Sequence, residues 1–145
     1  MKVSTKGDYG LRALVELALR FGQGPLQSAE IAARQGIPEP YLDQLLTNLR
    51  RAGFIRSIRG PQGGHALVRP PDELRLSEVM LALEGSLSPI GWLDERDGRR
   101  AGCEAQRPVW EAVRDATFKV LDGVTVADLA EYERKRAGNG DRYVI

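Results

Sequence analysis

The sequence is poor in the residues that build metal centres and nucleophilic active sites. Its 145 residues include one cysteine, Cys103, and one histidine, His65. A lone cysteine excludes an internal disulfide framework and leaves a tetrahedral cysteine site short of ligands. A single imidazole is equally limiting, so no metal and no other cofactor is expected. Long apolar runs are missing as well. Hydrophobic residues make up 42% of the chain but are dispersed, and no run is long enough to cross a bilayer. The opening MKVSTKGDYG has no apolar core of the kind a signal peptide needs, which makes a cytoplasmic location the expectation. Internal repeats and low-complexity tracts are absent. Carboxylates are abundant but scattered, and no histidine lies near Cys103 in sequence, so an enzyme is not expected.

Excess charge of either sign is also lacking overall, at a formal net of +1, but its distribution is uneven. Residues 1–70 hold ten Lys/Arg against five Asp/Glu, and residues 71–145 hold eleven against fifteen. A basic front half joined to an acidic rear half reads as a nucleic-acid-facing module attached to something that avoids nucleic acid.

What is present is a succession of helical periods. Tyr9, Leu14, Leu17, Ala18 and Phe21 recur near helical spacing, predicting a first helix from about Thr5 to Phe21, stopped by Gly22-Gln-Gly-Pro25. A second, short helix runs through Ala29–Gln35 with Ser28 as its expected N-cap, and Gly36-Ile37-Pro38 breaks it. A third spans Glu39 to about Gly53, with Pro40 in the first turn and Gly53 at the C′ position. Leu42, Leu45, Leu46 and Leu49 fall on one face of it at i, i+3, i+4 and i+7. Tyr41, Gln44, Asn48 and Arg51 fall on another face and carry hydrogen-bonding groups without a carboxylate, a chemically suitable surface for base edges and phosphates.

Helix, tight turn and amphipathic helix make a helix-turn-helix. Phe54–Arg59 and His65–Arg69 then read as two arms of a hairpin, although Phe54 and Ile55 are adjacent and leave the register open. The turn between them, Gly60-Pro-Gln-Gly-Gly64, is long for a hairpin. Its glycines allow close backbone approach to another molecule and free N–H groups for phosphate, and Arg59 at its base suits a narrow minor groove. The expected fold is mainly α with a small β-hairpin: a winged helix-turn-helix over residues 1–71, then C-terminal dimerisation helices.

Beyond Pro70-Pro71, Ser77 is the expected cap of a short helix bearing Leu76, Val79, Met80 and Leu83, ended by Gly85. Residues 72–107 comprise that connecting helix and a polar, sensor-type loop. Pro108 opens a strong helix to Asp122. Its apolar stripe of Val109, Trp110, Val113, Ala116, Thr117, Val120 and Leu121 is wider than a small core needs, which points to a twin helix from a second subunit. Thr125 caps a last helix, the dimerisation segment closing near Arg136 and a flexible tail occupying 137–145. Trp92 is expected in the core or at the dimer contact. Cys103 reads either as an inert residue or as a redox site whose pKa Arg99 and Arg100 lower.

Taken together, several motifs resemble the Rrf-two (Rrf2) family of bacterial winged-helix repressors. They are Ser4-Thr-Lys-Gly-Asp-Tyr9, Ile31-Ala-Ala-Arg-Gln-Gly-Ile37, Tyr41-Leu-Asp-Gln-Leu45, Leu49-Arg-Arg-Ala-Gly53, Arg59-Gly-Pro-Gln-Gly-Gly64, Leu83-Glu-Gly85, Trp110 and Val124-Thr-Val-Ala-Asp-Leu129. The resemblance covers almost the whole chain. It implies a homodimer that grips a partly palindromic operator in double-stranded DNA, with crossed long helices as the dimer contact. It places Tyr41, Asp43, Gln44 and Asn48 toward the major groove, with Ser28 and Arg51 among the DNA contacts. It places Arg59, Gly60, Gln62, Gly63, Gly64 and His65 in the wing that reaches the minor groove. Gln44 suits adenine and Asp43 suits cytosine N4. His65 stands where an aromatic is often found, and Pro40 where a hydroxyl residue is known. Cluster-binding relatives carry three cysteines in the loop where this chain has Trp92, Gly98 and Glu104, with Cys103 one step away. Thiolates hold such clusters, so the resemblance is to the cluster-free branch, whose members respond through a signalling protein partner or thiol oxidation. A winged helix that docks a protein carrying the signal is the alternative reading. The acidic rear half and the broad apolar helix suit it, but the basic wing is left without a purpose.

Overall fold

The structure, a computed structural model, describes residues 2–95 and 102–143, those from 139 on by backbone alone. Three helices open the chain: α1 (Thr5–Leu19), α2 (Ser28–Gln35) and α3 (Glu39–Arg51). A two-stranded antiparallel hairpin follows, β1 (Ile55–Ile58) and β2 (Gly64–Leu67), and then α4 (Leu76–Glu84), α5 (Arg107–Asp122) and α6 (Val126–Tyr143). This is a winged helix, mainly α, with the helical extension expected from the sequence.

The leucine row of α3 decides how that helix sits. Leu42, Leu45, Leu46 and Leu49 are all buried, and each such side chain contributes roughly 1.5–3 kcal/mol relative to full exposure. Leu42, Leu46 and Leu49 pack with Ala13, Leu14 and Leu17 of α1, Ile31 of α2, and Phe54, Ile55 and Leu67 of the hairpin. The same core takes in Leu74, Val79 and Leu83 around α4 and Val126 and Ala130 of α6. Helix α5 differs, since none of its residues is fully buried.

The hairpin register pairs Ile55 with Leu67, Arg56 with Ala66, Ser57 with His65 and Ile58 with Gly64. The adjacent apolar pair Phe54-Ile55 is accommodated because Phe54 precedes the strand. Its N–H donates to the Leu49 carbonyl, and its carbonyl accepts from Val68 N–H. The five residues between the strands match the unusual length read from the sequence, shifted by one position.

Several local expectations are corrected. α1 stops at Leu19, where the N–H groups of Arg20 and Phe21 tighten to the carbonyls of Leu17 and Ala18. Phe21 is outside the helix and exposed. Ser28 is the first residue of α2 rather than its cap. Gln27 occupies the cap position and makes no side-chain capping bond. Ser77 lies inside α4, buried, and donates to Asp122 Oδ1 at 2.7 Å, joining α4 to the end of α5. Thr125 does cap α6: its hydroxyl accepts from Asp128 N–H at 3.1 Å and Asp128 Oδ2 accepts from Thr125 N–H at 2.9 Å, a reciprocal capping box. The expected end near Arg136 is exceeded, because α6 stays helical to Tyr143.

Two helical glycines that ought to weaken α1 have a packing reason. A Cβ on Gly7 would meet Glu84 Oε1 at 2.3 Å, and one on Gly10 would meet Leu83 Cδ1 at 2.6 Å. Helix α4 therefore crosses α1 at close range. Glu84 Oε1 also accepts from the N–H and hydroxyl of Ser4, at 3.1 and 2.6 Å. The Ser4-to-Tyr9 and Leu83-Glu-Gly85 motifs are two halves of one joint.

Candidate nucleic-acid interface

Successive residues of α3 are rotated by about 100°, so burying the leucine row dictates which side chains face outward. Gln44, Thr47 and Arg51 lie opposite the leucines. Tyr41 and Asn48 lie on the flank toward α1, and both are half-buried. The Tyr41 ring meets Tyr9 edge to face at 5.7 Å, and Arg12 stacks over Tyr9 at 5.1 Å. Glu39, Asp43 and Arg50 lie on the opposite flank, toward the wing. The predicted stripe of Tyr41, Gln44, Asn48 and Arg51 is thus divided, with Gln44 and Arg51 at its outward centre. Thr47, which sequence reasoning passed over, is also outward, and its hydroxyl bonds back to the Asp43 carbonyl at 3.0 Å.

The wing is docked to the body of the domain. Leu26 and His65 exchange backbone hydrogen bonds of 2.9 and 2.8 Å, so the chain between α1 and α2 runs alongside β2. This contact explains Gly64, and the hairpin's own turn explains Gly63. A Cβ on Gly64 would meet the Leu26 carbonyl oxygen at 2.6 Å, and one on Gly63 would meet the Ile58 carbonyl oxygen at 2.0 Å. The close approach that the sequence suggests is made to the protein's own backbone. Gly60 is different: its φ is +107° and nothing lies near its absent Cβ. Its carbonyl accepts from Gly63 N–H at 2.9 Å, closing a β-turn with Pro61 at the second position, where a fixed φ is favoured. Pro61, Gln62 and Arg59 are exposed at the tip.

Between wing and helices lies a shallow groove of about 300 Å³, lined by Gln27, Ser28, Ala29, Glu39, Gly60, Gly63, Gly64 and His65. It brings Ser28 at the uncapped start of α2 together with the predicted wing residues. It also brings in one carboxylate, Glu39, that the sequence stripe did not include.

Part of the front half's positive charge is paired within the chain. Arg12 pairs with Asp8, Arg20 with Glu30, Arg34 with Glu16 and Glu30, and Arg69 with Glu78. Arg69, one of the arginines flanking the wing, is therefore neutralised by α4. Among the described residues, Arg51 and Arg59 have no carboxylate within ion-pair distance. His65 is half-buried, and its pKa is lowered first by burial and then by Arg50, with Asp43 opposing. The imidazole is therefore neutral at pH 7.

The remaining predicted residues lie elsewhere. Cys103 is buried with Trp92 and Leu93, and Ile90 and Trp110 pack around it. The Arg107 guanidinium stacks on Trp92 at 4.9 Å. Arg99, Arg100 and Gly98 fall outside the described residues. On α5, Val109, Ala116 and Val120 are exposed, while Trp110, Val113, Thr117 and Leu121 are half-buried. Leu121 leans on the main core and Trp110 on the Cys103 cluster. Phe118, not singled out from the sequence, is also exposed.

A family model described as an iron-dependent transcriptional regulator, Rrf2, matches residues 3–132. An iron–sulfur cluster does not fit this chain. It has one cysteine, buried in a cluster with Trp92 and Leu93, and clusters are held by several thiolates. The chain is 42% identical over 132 residues to the HTH-type transcriptional regulator CymR of Bacillus subtilis, covering 91% of each. It is 37% identical over 140 residues to IscR of Cereibacter sphaeroides, covering 93% of this chain and 90% of that one. The solved structure of CymR, described as the global cysteine regulator of B. subtilis, superposes with a TM-score of 0.74 at 40% identity, covering 91% of this chain and 98% of that one. That of T. potens IscR superposes at 0.75 and 38%, covering 92% and 88%. No described helix is long and apolar enough to cross a membrane. A winged helix, a family match over residues 3–132 and relatives of this kind lead to one conclusion: the chain belongs to the Rrf2 family of DNA-binding transcriptional regulators.

Proposed function

We propose that the chain is a homodimeric repressor that binds a palindromic operator in double-stranded DNA without an iron–sulfur cluster. The observation that carries this reading is the exposed surface of α3 and the wing. There Gln44 and Arg51 point outward beside Asp43, and Arg59 projects from a turn anchored to the domain by Leu26. Gln44 and Asp43 offer hydrogen-bonding groups for adenine and cytosine edges in the major groove. Tyr41 and Asn48 contribute from the α1 flank, and Ser28 offers a hydroxyl and a helix N-terminus for backbone phosphate. Arg59, with Gly60 and Gln62 at the tip, enters the adjacent minor groove. The glycines serve that contact indirectly, Gly64 by admitting Leu26 beside the wing and Gly63 by closing the turn against Ile58. Neutral His65 supports the wing from behind.

Homodimerisation follows from α5. Val109, Val113, Ala116 and Val120 repeat at three- and four-residue intervals along a helix with no fully buried residue, and Val120 is 68% exposed. Two copies of this stripe, packed together, would pair two recognition helices, which suits half-sites about one helical turn apart or a multiple of that.

Selection of bound duplexes from a random pool with the purified chain tests the reading. The expected product is a two-fold symmetric consensus whose affinity falls steeply with salt. An enriched pool without symmetry, or binding indifferent to salt, would overturn it.

A further inference from the structure

The recognition helix and the wing are joined by a chain of three side chains, two of which the sequence reading did not single out. Arg50 Nη1 donates to Ser57 Oγ at 3.1 Å, and Ser57 Oγ lies 3.1 Å from His65 Nδ1. Ser57 and His65 are cross-strand partners, so the chain ties α3 to both strands at once. Arg50 and Arg51 are neighbours in sequence, yet the rotation of about 100° between them sends Arg51 outward and Arg50 toward β1.

Donor and acceptor counting makes the arrangement directional. The Ser57 hydroxyl has one proton and two lone pairs. With its oxygen accepting from Arg50, its proton is available to Nδ1 as long as that nitrogen keeps its lone pair. That condition is a neutral His65 with its proton on Nε2.

We propose that Arg50, Ser57 and His65 form a latch that sets the angle between recognition helix and wing, making Arg50 a positioning residue for DNA recognition rather than a phosphate contact. The latch is closed while His65 is neutral. A second proton on the ring turns Nδ1 into a donor, and the Ser57 oxygen then faces two cationic donors that repel each other. The charged groups around the imidazole are Arg50 and Asp43 from α3, Glu39 of α3 across the front groove, and Arg56 of β1 and Arg20, which follows α1, in the groove behind. Burial and Arg50 hold the pKa below its ordinary value against the pull of Asp43, which keeps the latch closed at neutral pH.

The inference rests on the DNA-binding reading, and its test keeps the two apart. The full chain is titrated by fluorescence anisotropy against a duplex it has itself selected from a random pool, over a range of salt, at about pH 7.5 and about pH 5, on either side of histidine titration. Ser57→Ala leaves every charge in place and is expected to lower affinity about five- to tenfold at the higher pH, the scale of one hydrogen bond. Arg50→Gln is expected to cost a similar factor without changing the salt slope, and the double variant no more than either single one, as for residues acting as a unit. As pH falls through the folded-state pKa of His65 the Ser57→Ala penalty shrinks in the wild-type background, and it persists in a His65→Gln background, where the amide oxygen accepts the Ser57 proton and nothing at position 65 titrates. Melting curves of each variant at both pH values separate these effects from unfolding. Wild-type affinity in Ser57→Ala at pH 7.5 would overturn the latch. So would a salt slope reduced by about 0.9 in Arg50→Gln, the mark of a lost phosphate contact. If the wild-type chain itself bound no duplex in a salt-sensitive way, the DNA reading would fall and the latch with it.

Discussion

A methyl group on Gly63 would sit 2.0 Å from the Ile58 carbonyl oxygen and 2.9 Å from that of Gly60. Backbone on both sides leaves no flexible atom to yield, so Gly63→Ala is expected to destabilise by at least about 1–3 kcal/mol, the usual range for overpacking. The turn of the wing would be distorted, and melting together with DNA titration reads both effects; an unchanged melting temperature would count against this packing. His65 allows a second test at the same scale. Its folded-state pKa lies below the ordinary histidine value because of burial and Arg50, so the unfolded chain binds the proton more readily. Stability is therefore full above the ordinary pKa near 6.5 and is lost as pH falls through the lower folded value. His65→Gln is expected to remove that part of the acid sensitivity, seen as a flatter dependence of melting temperature on pH between about 7 and 5. Neither role is visible in the sequence. Paired glycines signal a close approach but do not name the neighbour, and the Leu26 carbonyl is remote in sequence.

At the scale of elements, α3 was the most legible part of the chain. Four leucines at helical spacing, a proline in the first turn and a glycine after the last are local signals, and the helix forms where they say. Leu49→Ala, at a fully buried position, is expected to cost about 2–5 kcal/mol, measured by denaturant titration; a loss below about 1 kcal/mol would mean the site is not part of the cooperative core. The caps were less legible. Serine at the start of an apolar run is a fair N-cap signal, yet Ser28 and Ser77 lie inside their helices and Ser77 bonds to Asp122 instead. A hydroxyl one or two residues too late for capping looks the same in sequence as one that caps. Thr125 was read correctly because its partner, Asp128, is only three residues away.

For the whole molecule, the decisive feature is a helix that finishes outside the core. Val109 and Val120 of α5 are 57% and 68% exposed, so replacing both with glutamate removes nothing the single chain needs for folding. The expected result of Val109→Glu with Val120→Glu is a monomer with unchanged helical circular dichroism. It would bind an operator much more weakly, because two half-sites no longer act together. Sedimentation equilibrium checks the assembly state, and a variant that remains dimeric would place the subunit contact elsewhere.

The sequence by itself determined the order and type of the elements, the leucine face of α3, the long turn of the wing and the family resemblance. These follow from spacings of a few residues and from short motifs, where propensity and periodicity act locally. Only the tertiary structure decided that Gly7 and Gly10 admit α4, that Gly63 and Gly64 admit backbone carbonyls, and that Arg69 is neutralised by Glu78. It also decided that Arg50 turns to the wing while Arg51 does not. Each of these depends on which atoms of different elements or of a folded turn meet, and that is settled when the apolar faces pack together.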